Sequence, residues 1–126
     1  IASLDATYIR ELKIDLFTNT IFVSTLTQYD DQQNPVNHEV TFQQVSAFYF
    51  SNGPENRRFN VKALDLIEIS DVEYHNPPKN HITCVHDKPG IPHYNSDPNF
   101  RLELWSATLL IEAKEVGVDG ILYQAR

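Results

Sequence analysis

The sequence predicts an all-β, or mainly β, domain: an antiparallel meander of about seven strands forming a sandwich or a partly open barrel, closed by a C-terminal hairpin. Three observations predict it. Apolar residues recur at every second position in segment after segment, the period of a half-buried strand. No segment of about ten residues or more carries the apolar stripe of an amphipathic helix. Asp119-Gly120 sits between two apolar runs, and Asp-Gly is a strong two-residue hairpin signal.

From Tyr8 to Phe17 the residues alternate. Tyr8, Leu12, Ile14 and Leu16 share one face with Arg10, while Glu11, Lys13 and Asp15 face the other way. Thr18-Asn19-Thr20 reads as a turn, because Asn tolerates the left-handed region. Ile21 to Tyr29 returns as a second strand rich in β-branched and aromatic residues. Asp30 to Asn37 is polar and turn-rich, hence a loop.

Glu39 to Phe50 is the third strand, and its alternation slips. Val40 and Phe42 share one parity, whereas Val45, Ala47 and Tyr49 take the other. A β-bulge near Gln43-Gln44 restores a single inward face. Ser51 to Asn60, with Gly53 and Pro54, is a second loop. Val61 to Tyr74 fits either a bulged strand or a helical turn leading into a strand, with strand from about Asp65. His81 to His86 is a short strand between proline-rich flanks. Phe100 to Lys114 reads as one long strand, and Val118 to Gln124 completes the final hairpin.

Residues 1–126 fit a single domain, and at that size roughly two-thirds of the unfolded surface can be buried. The chain carries 17 acidic and 10 basic residues, a formal net charge of -7. Nucleic acid is disfavoured as a partner, since its phosphates repel such a surface. No apolar run reaches the ~18 residues of a membrane span. Cys84 is the single cysteine, so no disulfide forms within the chain, and a cytoplasmic location fits. The chain opens on Ile1 rather than Met, which is compatible with a leader cut from a longer precursor.

Leu102-Glu103-Leu104-Trp105-Ser106, then Ile111-Glu112-Ala113-Lys114, then the short Val118-Asp119-Gly120 turn form a recognisable series. Together with Leu12 to Thr20 and Phe42 to Phe50, this layout resembles the YxiG-like group of small bacterial proteins. The resemblance spans most of the chain as a pattern of strands with few fixed letters. It implies a bacterial source and brings no catalytic residue to any position.

Chemistry-bearing residues concentrate between His75 and Pro98, which hold His75, His81, His86 and His93 and five of the seven prolines. On the expected strand Cys84 and His86 share a face, so Cys84, His86 and His93 form a candidate three-ligand metal site with an open fourth position. The spacing matches no established zinc motif, and solvated histidines beside a packed cysteine explain it more simply. Cys84 and His86 do not make a nucleophile and base by themselves. Residues two apart on a strand lie ~7 Å from each other, and proton transfer needs about 3 Å. Glu103 and Trp105 could wall a ligand pocket, although Trp105 reads more simply as a core residue. The carboxylates at Asp30, Asp31, Asp65, Glu68, Asp71 and Glu73 match no calcium loop, and no glycine-rich phosphate loop is present.

The expected function is therefore non-enzymatic: a protein-interaction domain, regulatory or immunity-type, with no cofactor. Tyr74, Tyr94 and Phe100 flank the proline-rich segment as candidate partner anchors. The alternatives are a small-molecule-binding β-barrel lined around Trp105, and a metal-dependent enzyme using the histidine-rich segment. The expected partner is a protein, with no nucleic acid and no membrane, and homodimer formation is open. An exposed strand edge would favour it.

Overall fold

The computed structural model describes residues 7–27, 36–52, 67–104 and 107–125. Within them lie β1 (Thr7–Asp15), β2 (Thr20–Thr27), β3 (Val36–Asn52), β4 (Ile67–Tyr74), β5 (Ile82–Cys84), β6 (Tyr94–Ser96), β7 (Phe100–Leu104), β8 (Ala107–Val118) and β9 (Ile121–Gln124). Every pairing is antiparallel. Among the described residues no helix is long and apolar enough to cross a membrane.

Seven strands form one sheet in the order β3-β2-β1-β4-β7-β8-β9, and β3 also pairs with β8. That extra pairing turns β3-β2-β1-β4-β7-β8 into a closed ring. Two sequential meanders, β1-β2-β3 and β7-β8-β9, are thus joined in two places, by β4 lying between β1 and β7 and by β3 pairing directly with β8. The ring's interior is filled by side chains, as expected of a small barrel. Ile21, Val23, Val40, Phe42, Ile69, Phe100, Leu102, Leu104, Leu109 and Ile111 are all buried there. Each of the larger ones contributes about 2 kcal/mol by leaving water.

The two expected turns are set by local chemistry. Asn19 stands at φ 54°, the left-handed conformation its side chain tolerates. Asp119 and Gly120 have φ of 49° and 85°, the paired positive values of a type I′ hairpin. The expected bulge in β3 is also present. Gln44 adopts φ 51°, and the register with β8 shifts between Val45 and Ala47.

Four sequence expectations are corrected. Phe100 to Lys114 is not one strand: Leu104 pairs with Ala107, so β7 and β8 are the arms of a hairpin. β1 does not alternate cleanly from Tyr8. Its register shifts between Ile9 and Glu11, and Ile9, opposite buried Thr25, joins Leu12 and Ile14 on the inner face in place of Tyr8. β3 begins at Val36, inside the segment read as a loop. β6 was not expected, and it pairs with β5 as a separate two-stranded sheet. The loop readings at 30–35 and 53–60 and the start of the fourth strand at 61–66 lie outside the described residues.

Asn99 joins the two halves of one edge of β8. β7 pairs with residues 107–111 of that strand and β9 with residues 115–118. Between them Asn99 Nδ2 donates to the carbonyl of Ala113 at 2.9 Å, and the amide of Ala113 donates to Asn99 Oδ1 at 3.1 Å. The buried side-chain amide thereby takes the place of a neighbouring peptide group, and no donor or acceptor of Ala113 is left unmade.

Candidate functional site

The most unusual surface is the tip of the β1–β2 hairpin. Asp15 Oδ1 accepts the main-chain N–H of Phe17 at 2.9 Å and of Thr18 at 3.3 Å. The hydroxyls of Thr18 and Thr20 lie 2.9 Å apart. These bonds hold the turn in one conformation. They also hold the Asp15 carboxyl below the usual carboxylate range, chiefly through the Phe17 N–H, then through the hydroxyl and N–H of Thr18. The turn so fixed presents Phe17 100% exposed and Leu16 72% exposed.

Beside the tip lies a cleft of about 310 Å³, lined by Ile14, Leu16 and Ile21 on the hairpin and by Val45, Ala47 and Phe48 on β3. Leu12, Ile14 and Phe48 point to the inner side of the sheet yet stay roughly two-fifths exposed. Leu12, Ile14, Leu16, Phe17 and Phe48 thus all leave apolar surface exposed at this end of the sheet.

Carboxylates flank this surface. Asp15 lines the cleft itself. Ser46, also in the lining, donates its hydroxyl to Glu112. Gln44 Nε2 donates to Glu115 at 3.1 Å. Lys13 is already paired with Glu11 at 3.0 Å.

The aromatic residues singled out from sequence are divided. Tyr74 and Phe100 do meet, with ring centroids 5.1 Å apart, but Phe100 is 1% exposed and packs edge-on against Phe42. It belongs to the core and cannot anchor a partner. With Tyr123 and Val116 the pair lines a second cleft of about 290 Å³. Tyr94 is exposed on β6, and His86 stacks on its edge at 5.7 Å. Glu103 accepts from Arg101 Nε at 2.5 Å and from the Thr108 hydroxyl at 3.0 Å, so it is engaged within the sheet. Trp105 lies outside the described residues. Leu16 and Phe17 were not singled out, because apolar residues at a strand end look like core until the covering element is known.

The histidines do not converge. Cys84 is exposed and free, His93 is exposed, and His86 is half-buried against Tyr94. Among the described residues no group of three His, Cys, Asp or Glu side chains is placed to hold a metal ion, so Cys84, His86 and His93 do not form the three-ligand set. His75 Nε2 instead meets Glu73 at 2.9 Å, and this bond is the main cause of a lowered Glu73 carboxyl.

His81 makes the most organised polar contact of the segment. Its Nδ1 lies 2.6 Å from Asp97 and its Nε2 lies 3.0 Å from the Thr83 hydroxyl. A hydroxyl, an imidazole and a carboxylate in series have the outline of a nucleophilic triad. The donors run the wrong way for one. Thr83 donates to Asn95 Oδ1 at 3.0 Å, and His81 and Asp97 are more than half exposed. The series works as a tether: the N–H of Asp97 goes on to Glu112 at 2.6 Å and fastens the β5–β6 arm to β8.

Fold and surface together define a class: a ring-closed antiparallel β-domain with a packed interior, whose distinctive feature is an apolar hairpin tip over a cleft. The YxiG-like protein profile matches residues 1–123, and the chain belongs to the YxiG-like family. No match is found among curated proteins.

Proposed function

We propose that this chain is a non-enzymatic interaction domain that docks a protein partner on the β1–β2 tip and the adjoining cleft. One observation carries the reading: Phe17 is fully exposed on a turn that its own hydrogen bonds make rigid. An apolar anchor held in place before binding loses little entropy on docking, which is the usual character of an interface hot spot. A cytoplasmic regulatory or immunity-type role in a bacterium fits a small acidic domain of this kind.

The test compares capture from a lysate of the source organism by three immobilised forms: the wild type, Phe17→Ser, and Val85→Ser as a control on the β5–β6 arm. Val85 is 62% exposed, so its change controls for loss of any surface hydrophobe. Proteins held by the wild type and by Val85→Ser but lost with Phe17→Ser support the reading. Identical capture by all three forms would sink it.

The second cleft favours an alternative, a small planar ligand held between Tyr74 and Tyr123. It gives the small-molecule hypothesis a centre among the described residues. Native mass spectrometry of the chain purified from its source would show a retained ligand if this alternative holds.

A further inference from the structure

We propose that the cleft is a lane for an added strand, and that it receives an extended, lysine- or arginine-bearing segment of the partner protein. The proposal rests on the docking reading above and specifies how the partner is held.

β3 has 17 residues, and β2 covers only part of one edge, from Val36 to Phe42. The last contact on that edge is the N–H of Val45 with the carbonyl of Asn19, where the hairpin turns away toward β1. From Ser46 to Phe50 no described strand lies on this side. The opposite edge of the same stretch is fully paired, with Ala47 to Asn52 held against β8. A strand with one edge secured and no described strand along the other is a template for augmentation, in which main-chain bonds supply affinity and alternate side chains supply specificity.

The cleft lies in that lane, because Val45, Ser46, Ala47 and Phe48 form one wall and the end of the β1–β2 hairpin forms the other. An incoming strand would continue the line of β2 beyond the turn. Its inward side chains would fall among Ile14, Leu16 and Phe48, and so should be apolar. Its alternate side chains would face outward, toward Glu112 and Glu115, which reach Ser46 and Gln44 on β3. Asp15 stands at the lane's entrance. Lys114 is the cation nearest in sequence to these acids, and a net charge of -7 over the whole chain adds long-range attraction for a basic segment. The chemistry recognised is an alternation of apolar and cationic residues in extended form. A second copy of this acidic chain is the less favoured occupant on charge.

The experiment uses two short synthetic peptides as probes, one alternating lysine with valine and phenylalanine, the other carrying glutamate in place of lysine. Each is titrated into the isotope-labelled chain and followed by amide chemical shifts. The expected result is perturbation of Ser46 to Phe50 and of the Leu16–Phe17 turn by the lysine peptide. Its affinity should exceed that of the glutamate peptide by at least about tenfold at low salt. Glu115→Gln removes one of these charges, keeps the oxygen that accepts from Gln44 and Gln124, and should shrink that ratio. Equal affinity for the two peptides, shifts confined to other strands, or no shifts with either peptide would each overturn the inference. The broader docking reading is decided separately, by whether Phe17→Ser abolishes capture.

Discussion

Two hairpin tips of this protein, β1–β2 and β8–β9, use the same device toward opposite ends. Each begins with an aspartate and contains a residue at positive φ: Asp15 with Asn19 at the first tip, Asp119 with Gly120 at the second. Asp119 reaches away from its own turn. Its Oδ2 meets His38 Nδ1 at 2.7 Å and its Oδ1 accepts the N–H of Glu39 at 2.8 Å, while its own N–H donates to the carbonyl of Glu39. The second tip is therefore sewn to the start of β3. Asp15 bonds only forward into its own turn, to Phe17 and Thr18. The first tip meets β3 through the carbonyl of Asn19, which accepts the N–H of Val45, while its carboxylate stays within the turn, and it carries Leu16 and Phe17 into solvent. Turn chemistry sets whether a tip is rigid. The reach of one carboxylate sets whether that rigidity closes the fold or displays a surface.

The largest effect should come from breaking the sewn tip. Gly120→Val forces a β-branched residue into φ near 85°. A Cβ there meets nothing within 4 Å, so the cost is backbone conformation alone. A loss of about 2 kcal/mol is expected in denaturant unfolding.

The pH dependence sharpens the same contrast. The Asp119 carboxyl is held below the usual range, first by the His38 hydrogen bond and then by the Glu39 N–H. A carboxyl lowered by folding stabilises the native state above its unfolded value of about 3.9, and that stability is lost as pH falls through the folded value. Asp119→Asn should therefore be less stable than wild type at pH 6 and lose less on acidification. Parallel acid titration curves for the two proteins would contradict this.

Smaller effects are expected at the first tip. Asn19→Gly relieves the residual cost of positive φ and should stabilise by a few tenths of a kcal/mol, read as a small rise in the unfolding midpoint. Phe17→Ser should change stability by less than about 0.5 kcal/mol, since a fully exposed ring buries nothing in the fold. A marked destabilisation would mean that Phe17 serves the fold rather than a partner.

Much of this architecture is legible in the residues because it is local. Asn19 and Asp119-Gly120 announce two turns through their tolerance of positive φ, and the change of parity between Phe42 and Val45 announces the bulge. The break between β7 and β8 is not announced. Leu104-Trp105-Ser106-Ala107 lacks Gly, Pro, Asn and Asp, and its apolar residues continue the alternation of both strands. The pairings of β1 with β4 and of β3 with β8 join distant segments and leave no local mark. The site was hidden for the same reason. Whether Leu16, Phe17 and Phe48 are core or surface depends on which strand lies beside them, and β2 stops short of β3's second half. The histidine-rich segment drew attention by composition, yet His75 and His81 pair separately, with Glu73 and with Asp97.

Asn99 bears on how the chain rejects wrong structures as it folds. A slip of one residue between β7 and β8 would bring its side chain beside Glu112, whose carbonyl faces Ser46 on β3, or beside Lys114, whose carbonyl already accepts the N–H of Ala125. Both bonds with Ala113 would vanish, and a polar amide would be trapped without partners at a cost of about 1–3 kcal/mol per group. An apolar residue there would tolerate the shifted pairing far better. The amide thus acts as a proofreader of strand alignment, penalising mispaired competitors by more than it strengthens the native state.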